Sequence, residues 1–347
     1  MTSPIFHHLL VPFIVAMFLA INMGGSGTAP SFALAFGSGV IRRNLIPGLF
    51  GIMVFLGAII AGKTTATTIG SEIINPDRLN YITTTVILFS IAISLFIANL
   101  LGIPQSTSQS TVLSISAAAF YYHEFNSRKL FLEILPTWFI LPFIAFVICY
   151  FTGKYIYNPL RKRGVFLSSA VNNHPLVRIL IITTSLYVAF SIGANNVANA
   201  AGPIAMMTIN ELNLVDNESN FLLIIILSTL LIAPNFGIGS SLFGYKIARN
   251  TGRDIILLGK IEAVIVAFVS ASLLLIASIF KGIPSSLVQV NVAAILGIGV
   301  AKLGARTMFR KSSVNLFFVV WIIAPLIAFF LTLAGLYIVE NIAKLKM

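Results

Sequence analysis

Charge is what this sequence has least of: Asp, Glu, Lys and Arg make up 9% of its 347 residues, against roughly 25% in soluble globular domains. That scarcity excludes a soluble globule, because a folded chain still presents a large wet exterior that must be polar. Cysteine is nearly absent. Cys149 stands alone in the apolar run FIAFVICYF, so neither an internal disulfide nor a cysteine metal cluster can form. Of the four histidines, His7 and His8 adjoin each other, while His123 and His174 fall in predicted loops, and none belongs to an H-E-x-x-H pattern. No metal and no cofactor is expected. No nucleophile–base pair stands at membrane depth, so the sequence does not read as an enzyme.

Acidic residues number 10 against 22 basic ones, a net charge of +12. On a soluble chain that excess would suggest nucleic acid. Here the basic residues gather in short loops between apolar runs, which is the positive-inside bias of membrane proteins. Nucleic acid is therefore not an expected partner, and the lipid bilayer is. The opening MTSPIFHHLLVPFIVAMFLAINMGG lacks Lys and Arg ahead of its apolar run and reads as membrane segment rather than cleavable signal.

What is plentiful is apolar sequence, 58% of the chain. Crossing about 30 Å of hydrocarbon takes about 20 such residues. Candidate segments lie near 5–41, 44–62, 81–101, 104–122 and 134–152, and again near 174–210, 220–243, 257–280, 283–303 and 314–340. The two sets correspond. FLAINMGGSGTAPS (18–31) aligns with YVAFSIGANNVANA (187–200), LGIPQSTSQS (101–110) with KGIPSSLVQV (281–290), and WFILPFIAF (138–146) with WIIAPLIAF (321–329). The order is the same and the offsets are similar, as an internal duplication requires.

Charge sets the orientation. Arg42 and Arg43 follow the first segment, whereas its counterpart ends in NELNLVDNES, with Glu211, Asp216 and Glu218. The loop with Lys246, Arg249, Arg253 and Lys260, the central stretch with Lys154, Arg161, Lys162 and Arg163, and the loop from Lys302 to Lys311 are basic. Placing these loops in the cytoplasm gives each half an odd number of crossings and puts both termini outside. The expected fold is an all-α integral membrane protein: two inverted-topology repeats of about five segments each, with broken helices and re-entrant helical hairpins. Residues 1–153 form the first repeat, 154–175 a cytoplasmic linker and 176–347 the second repeat. The first segment of each set is expected to break at its Gly- or Asn-rich stretch. The fourth is expected to be the re-entrant hairpin.

Three polar features lie at membrane depth. The first pairs Gly24, Gly25, Ser26 and Gly27 with Gly193, Asn195, Asn196 and Asn199. At such breaks, freed carbonyls hold cations and freed N–H groups hold anions, provided that they line a cavity. Close helix packing would use the same residue types. The second feature is GIPQSTSQST, mirrored by GIPSSLVQVN. Proline near a helix start places Ser106, Thr107 and Ser108 in one first turn and Ser285 and Ser286 at the other, with Gln109 and Gln289 adjacent. Hydroxyls, free N–H groups and the positive end of the helix dipole then converge as an anion site. The alternative is ordinary N-capping. The third feature is Glu262, inside an apolar run, a candidate for coupling or gating or else half of a structural ion pair. Lys63, Glu72 and Lys260 stand near segment ends, where side chains reach the interface.

At these residues the chain resembles the PiT inorganic phosphate transporters, whose signature G-A-N-D-V-A-N-A occurs once per half, each followed by a G-[IL]-P-x-S-[TS] hairpin. Gly193 to Ala200 match the signature at seven of eight positions, and Gly24 to Ser31 match it loosely. Gly102, Pro104, Ser106 and Thr107 match one hairpin; Gly282, Pro284 and Ser286 match the other. The resemblance implies a homodimer, and the broken, inverted repeats are read as working by alternating access. The family's aspartates, which help bind sodium in phosphate carriers, fall on Gly27 and Asn196; the histidine that often ends its hairpin motif is Gln109 in one half and Gln289 in the other. In this the chain is similar to the sulfate permease branch.

Chemistry agrees. Phosphate carries protons at neutral pH and benefits from a carboxylate acceptor, whereas sulfate only accepts hydrogen bonds. The expected function is sulfate import across a plasma membrane, with a bacterial host suggested by the short loops. The coupling cation is H+ in the first place and Na+ held by carbonyls, Asn and Thr in the second. Phosphate or another oxyanion is the alternative substrate, and an anion channel the alternative mechanism.

Overall fold

The computed structural model describes residues 4–102, 105–164, 174–215, 217–247, 258–342 and 344. Pro104, Asp216, Arg249, Arg253 and residues 165–173 of the expected linker lie outside the described residues.

All regular structure among the described residues is helical. A bilayer offers backbone groups no water, and a helix satisfies them within its own segment. Among the described residues, eight helical runs are long and apolar enough to span a membrane: His8–Gly37, Arg43–Ala61, Tyr81–Leu101, Lys129–Lys162, Pro175–Glu211, Glu218–Ile247, Lys260–Lys281 and Phe318–Ile342. Within and between them we number α1 (Pro4–Gly37), α2 (Ile46–Ala61), α3 (Tyr81–Leu101), α4 (Thr107–Tyr121), α5 (Leu135–Phe151) and α6 (Pro175–Asn196). There follow α7 (Ala198–Glu211), α8 (Glu218–Ile232), α9 (Pro234–Gly239), α10 (Lys260–Ile276), α11 (Leu287–Leu303) and α12 (Ser312–Tyr337).

The fourth segment of each set is the exception to full spanning. Helices α4 and α11 have 15 and 17 residues, about 22–26 Å at 1.5 Å per residue, short of the hydrocarbon thickness. The chain ahead of each is stopped by a glycine in the left-handed region, Gly102 (φ 72°) and Gly282 (φ 60°), which a side chain would resist. A serine cap then restarts it.

The first segment departs from expectation. GGSGTAPS does not break α1, which runs through it. The hydroxyls of Ser26, Thr28 and Ser31 donate to carbonyls three or four residues back, at 3.0, 2.7 and 2.9 Å, so this polar stretch is satisfied inside the helix. In the other half the interruption is a single residue, Val197, between α6 and α7.

The packing pairs up across the chain. Helix α1 lies on α3 and α9, and α6 lies on α10 and α2; α5 holds α11, and α12 holds α4. Small residues allow the closest of these contacts. A Cβ on Gly24 would stand 2.2 Å from the Phe236 carbonyl oxygen, and one on Gly193 would stand 2.0 Å from that of Val54. Polar bonds join the same partners: Trp138 Nε1 of α5 donates to the Pro284 carbonyl at 2.8 Å, and the hydroxyls of Ser114 (α4) and Thr332 (α12) bond each other. The outward faces carry large apolar side chains such as Phe139, Phe143 and Phe330, as a lipid-facing surface does.

Candidate functional site

Ser106 and Ser286 sit alike at the starts of α4 and α11. Each hydroxyl accepts from the backbone N–H three residues on, that of Gln109 and of Gln289, both at 3.3 Å. The N–H groups of the intervening first-turn residues have no intrahelical acceptor. Two positive helix ends therefore face one region. They meet through Gln109 and Gln289, whose amides bond each other twice: Gln109 Nε2 donates to Gln289 Oε1 at 3.0 Å, and Gln289 Nε2 donates to Gln109 Oε1 at 2.8 Å.

The asparagines of α6 and α7 tie the same helix starts together. Asn195 Oδ1 accepts from Ser108 Oγ (3.1 Å) and from the Ser285 N–H (3.2 Å). Its Nδ2 donates to Ser278 Oγ at 2.8 Å and the Ile283 carbonyl at 3.3 Å. Asn199 Nδ2 donates to Ser108 Oγ at 3.3 Å and lies 3.5 Å from Thr107 Oγ1.

A cavity of about 10 Å³ opens between these elements, room for a single water. Ser26, Gly27, Pro30, Ser106, Thr107, Asn196 and Ser286 line it, with Gln105, Ile192, Leu287 and Val288. No ionisable side chain among the described residues lines it. Three buried amide oxygens around it, Asn196 Oδ1, Asn199 Oδ1 and Gln105 Oε1, have no hydrogen-bond partner. Pro30 has no N–H, so the Ser26 carbonyl also lacks its helical donor. The arrangement therefore presents two kinds of group: N–H and O–H donors at the helix starts, suited to an anion, and neutral oxygens beside them, suited to a cation.

Of the residues expected from the sequence, Ser26, Gly27, Ser106, Thr107, Asn196 and Ser286 line the cavity. Ser108, Gln109, Gln289, Asn195, Asn199 and Ser285 form its hydrogen-bonded surround. Gly24, Gly25 and Gly193 instead sit at helix contacts, against Phe236, Phe243 and Val54. Glu262 is placed apart, at the start of α10. It is fully buried, its Oε2 accepts from the Gly259 N–H at 2.7 Å, and Lys302 Nζ stands 2.9 Å away. That is a helix cap and an ion pair, not a member of the cavity wall. Lys63 pairs with Glu218 and Glu72 with Lys129, both at 2.6 Å.

Gln105, Pro30 and Ile192 were not singled out by sequence. Gln105 had a signal, as the polar residue between the proline and serine of GIPQS. Its Nε2 donates to Ser94 Oγ at 3.0 Å and Ser110 Oγ at 2.7 Å. Asn22 and Asn99 were also missed, though each is an amide inside an apolar run. Asn99 Nδ2 donates to the Asn22 carbonyl at 2.9 Å and lies 3.1 Å from its Oδ1.

Comparison with known proteins bears on this geometry. Residues 23–332 match the family described as "Phosphate transporter family". Among curated relatives, the chain is 31% identical to the sulfate permease CysP of Bacillus subtilis, covering 96% of this chain and 87% of that one. It is 28% identical to a candidate phosphate permease of Pyrococcus abyssi, covering 92% and 95%. A solved structure described as the sodium-dependent phosphate transporter matches with a TM-score of 0.78 at 23% identity, covering 97% of this chain and 100% of that one; it shares the fold.

Proposed function

The chain belongs to the phosphate transporter family and is a multi-pass membrane transporter of an oxyanion; from that premise we propose that its substrate is sulfate, imported by alternating access together with a cation. The observation that carries the reading is a cavity with two helix starts and serine and threonine hydroxyls but, among the described residues, no carboxylate. A fully deprotonated tetrahedral dianion needs donors and nothing else. A carboxylate there would repel it. The likeness to a sulfate permease points the same way.

Ser106, Thr107 and Ser286, with the first N–H groups of α4 and α11, hold the anion. Gln109 and Gln289 close the space beside it. With room for only a water, these side chains part when the substrate binds. The reciprocal contacts of α1 with α9 and α6 with α2, and of α5 with α11 and α12 with α4, support two related repeats around this centre, which the charge pattern of the loops reads as inverted.

Uptake into a negative interior is uphill by about 2.3 kcal/mol per charge per 100 mV, so a dianion needs at least two cations to offset the electrical term. The unpartnered oxygens of Asn196, Asn199 and Gln105 suit Na+, and among the described residues no titratable group lines the cavity to carry a proton. On this geometry Na+ takes precedence over H+. The same oxygens would accept the proton of hydrogen phosphate, which makes phosphate the second reading.

Radiolabelled sulfate uptake by purified protein in proteoliposomes tests both. We expect saturable uptake driven by an inward Na+ gradient and resistant to excess phosphate. Strong phosphate competition would establish the second reading instead. Unchanged apparent affinity in all three of Ser106→Ala, Thr107→Ala and Ser108→Ala would remove the site assignment.

A further inference from the structure

A second, larger cavity lies on a different face of α1. Its volume is about 360 Å³, and it opens between the end of α1, the start of α2 and residues 240–245. Thr28, Phe32 and Phe36, spaced by four, turn toward it, whereas Ser26, Gly27 and Pro30 turn toward the substrate cavity. From Thr28 to Phe36 it reaches about 12 Å along the helix.

Its mouth is cationic and preorganised. The Arg43 guanidinium carbon stands 3.9 Å from the centre of the Tyr245 ring, and Phe36 meets that ring edge-on at 5.3 Å. A guanidinium laid on a ring face keeps its edge N–H groups for a ligand. Asn44 adds an amide, and no Asp or Glu among the described residues lines the cavity. Its wall is aromatic, with Phe32 and Phe36. Within it Ser240, 4% exposed, has a hydroxyl with no partner. A buried hydroxyl without a partner costs free energy, and a ligand oxygen that reached it would offset that cost.

We propose that this cavity is a binding site for the phosphate-bearing head of an anionic phospholipid, with Arg43 holding the phosphate and Ser240 donating to a deeper oxygen of the same molecule. The shared chemistry is an oxyanion, which a free tetrahedral anion would also supply. The lipid is favoured by the aromatic wall, which suits a glycerol and the first methylenes better than a hydrated ion. It is also favoured by the position of the mouth beside Arg42 and Arg43, on the basic face where anionic lipids concentrate. The site is independent of which anion the carrier transports.

The test is a thermal-shift titration of the full chain in neutral detergent. The probes are short-chain phosphatidylglycerol, short-chain phosphatidylcholine and sodium sulfate, each against wild type, Arg43→Gln, Ser240→Ala and, as a control, Arg42→Gln. Phosphatidylglycerol should raise the melting temperature saturably, and phosphatidylcholine should not. Arg43→Gln should weaken the apparent affinity by about tenfold, as loss of a charge-assisted bond does. Ser240→Ala should weaken it less, and Arg42→Gln should leave it unchanged. An Arg43-dependent shift from sulfate, with none from phosphatidylglycerol, would overturn the lipid assignment. Equal effects of Arg42→Gln and Arg43→Gln, or wild-type affinity in both Arg43→Gln and Ser240→Ala, would overturn the site itself.

Discussion

Gln109 and Gln289, 180 residues apart, exchange two hydrogen bonds of 3.0 and 2.8 Å and so join the starts of α4 and α11. Each amide satisfies the other. Truncating one leaves a buried carbonyl and NH2 unpaired, which costs about 1–3 kcal/mol. We expect Gln109→Ala and Gln289→Ala each to lower the melting temperature, and the double variant to lose less than the sum. The coupling from such a cycle should be about 0.5–3 kcal/mol. Strict additivity would mean that the two amides act independently.

Asn195 binds four groups from three stretches of chain: Ser108, Ser278, Ile283 and Ser285. Asn195→Ala should destabilise the protein by more than about 1 kcal/mol and reduce transport steeply, because it loosens both helix starts at once. Ser278→Ala, which removes one of the four bonds, should show a smaller fall in both. Thermal melts and sulfate uptake on the same preparations check the ranking.

Helix α6 approaches α2 so closely that a Cβ at Gly193 would lie 2.0 Å from the Val54 carbonyl oxygen. Gly193→Ala should therefore lower the melting temperature sharply, by an overpacking of about 1–3 kcal/mol or more. Gly37→Ala is the matched control, with open space around its Cβ, and should leave the melting temperature unchanged.

Glu262 is buried against Lys302, and removing one partner of such a pair typically costs about 3–5 kcal/mol. Glu262→Gln should reduce stability while leaving the cation dependence of uptake unaltered, since the residue is outside the cavity wall. A changed coupling ion or stoichiometry in that variant would restore Glu262 to a coupling role.

Outside the membrane spans, the Arg78 guanidinium donates to Glu124 at 2.6 and 3.0 Å and holds its carboxyl below the usual carboxylate range. A lowered folded value means that the unfolded chain takes up the proton first as pH falls. The stability from this pair is complete above the unfolded value of about 4.3 and is lost as pH drops through the lower folded one. Glu124→Gln should lose that contribution at neutral pH and flatten the acid limb of the melting curve. Melts between about pH 3 and 6 read the difference.

Much of this was legible in the sequence where the controlling physics is local. The helix starts at Ser106 and Ser286 follow from the proline and serines of GIPQS and GIPSS, because capping is settled within a few residues. Low charge and long apolar runs likewise determined a helical membrane protein, since a bilayer leaves backbone groups no other partner. The same scale of reading failed at α1. Its glycines look like a break in isolation, but they serve contact with Phe236 and Phe243, and neighbouring hydroxyls bond within the helix. Only the tertiary structure decided that Gln109 meets Gln289, that Asn195 gathers both helix starts, that Glu262 pairs with Lys302, and that Ser240 comes to line a cavity with Arg43 and Tyr245. Those relationships join residues far apart along the chain. Which polar groups meet depends on the path of every helix between them, and no local pattern carries that information.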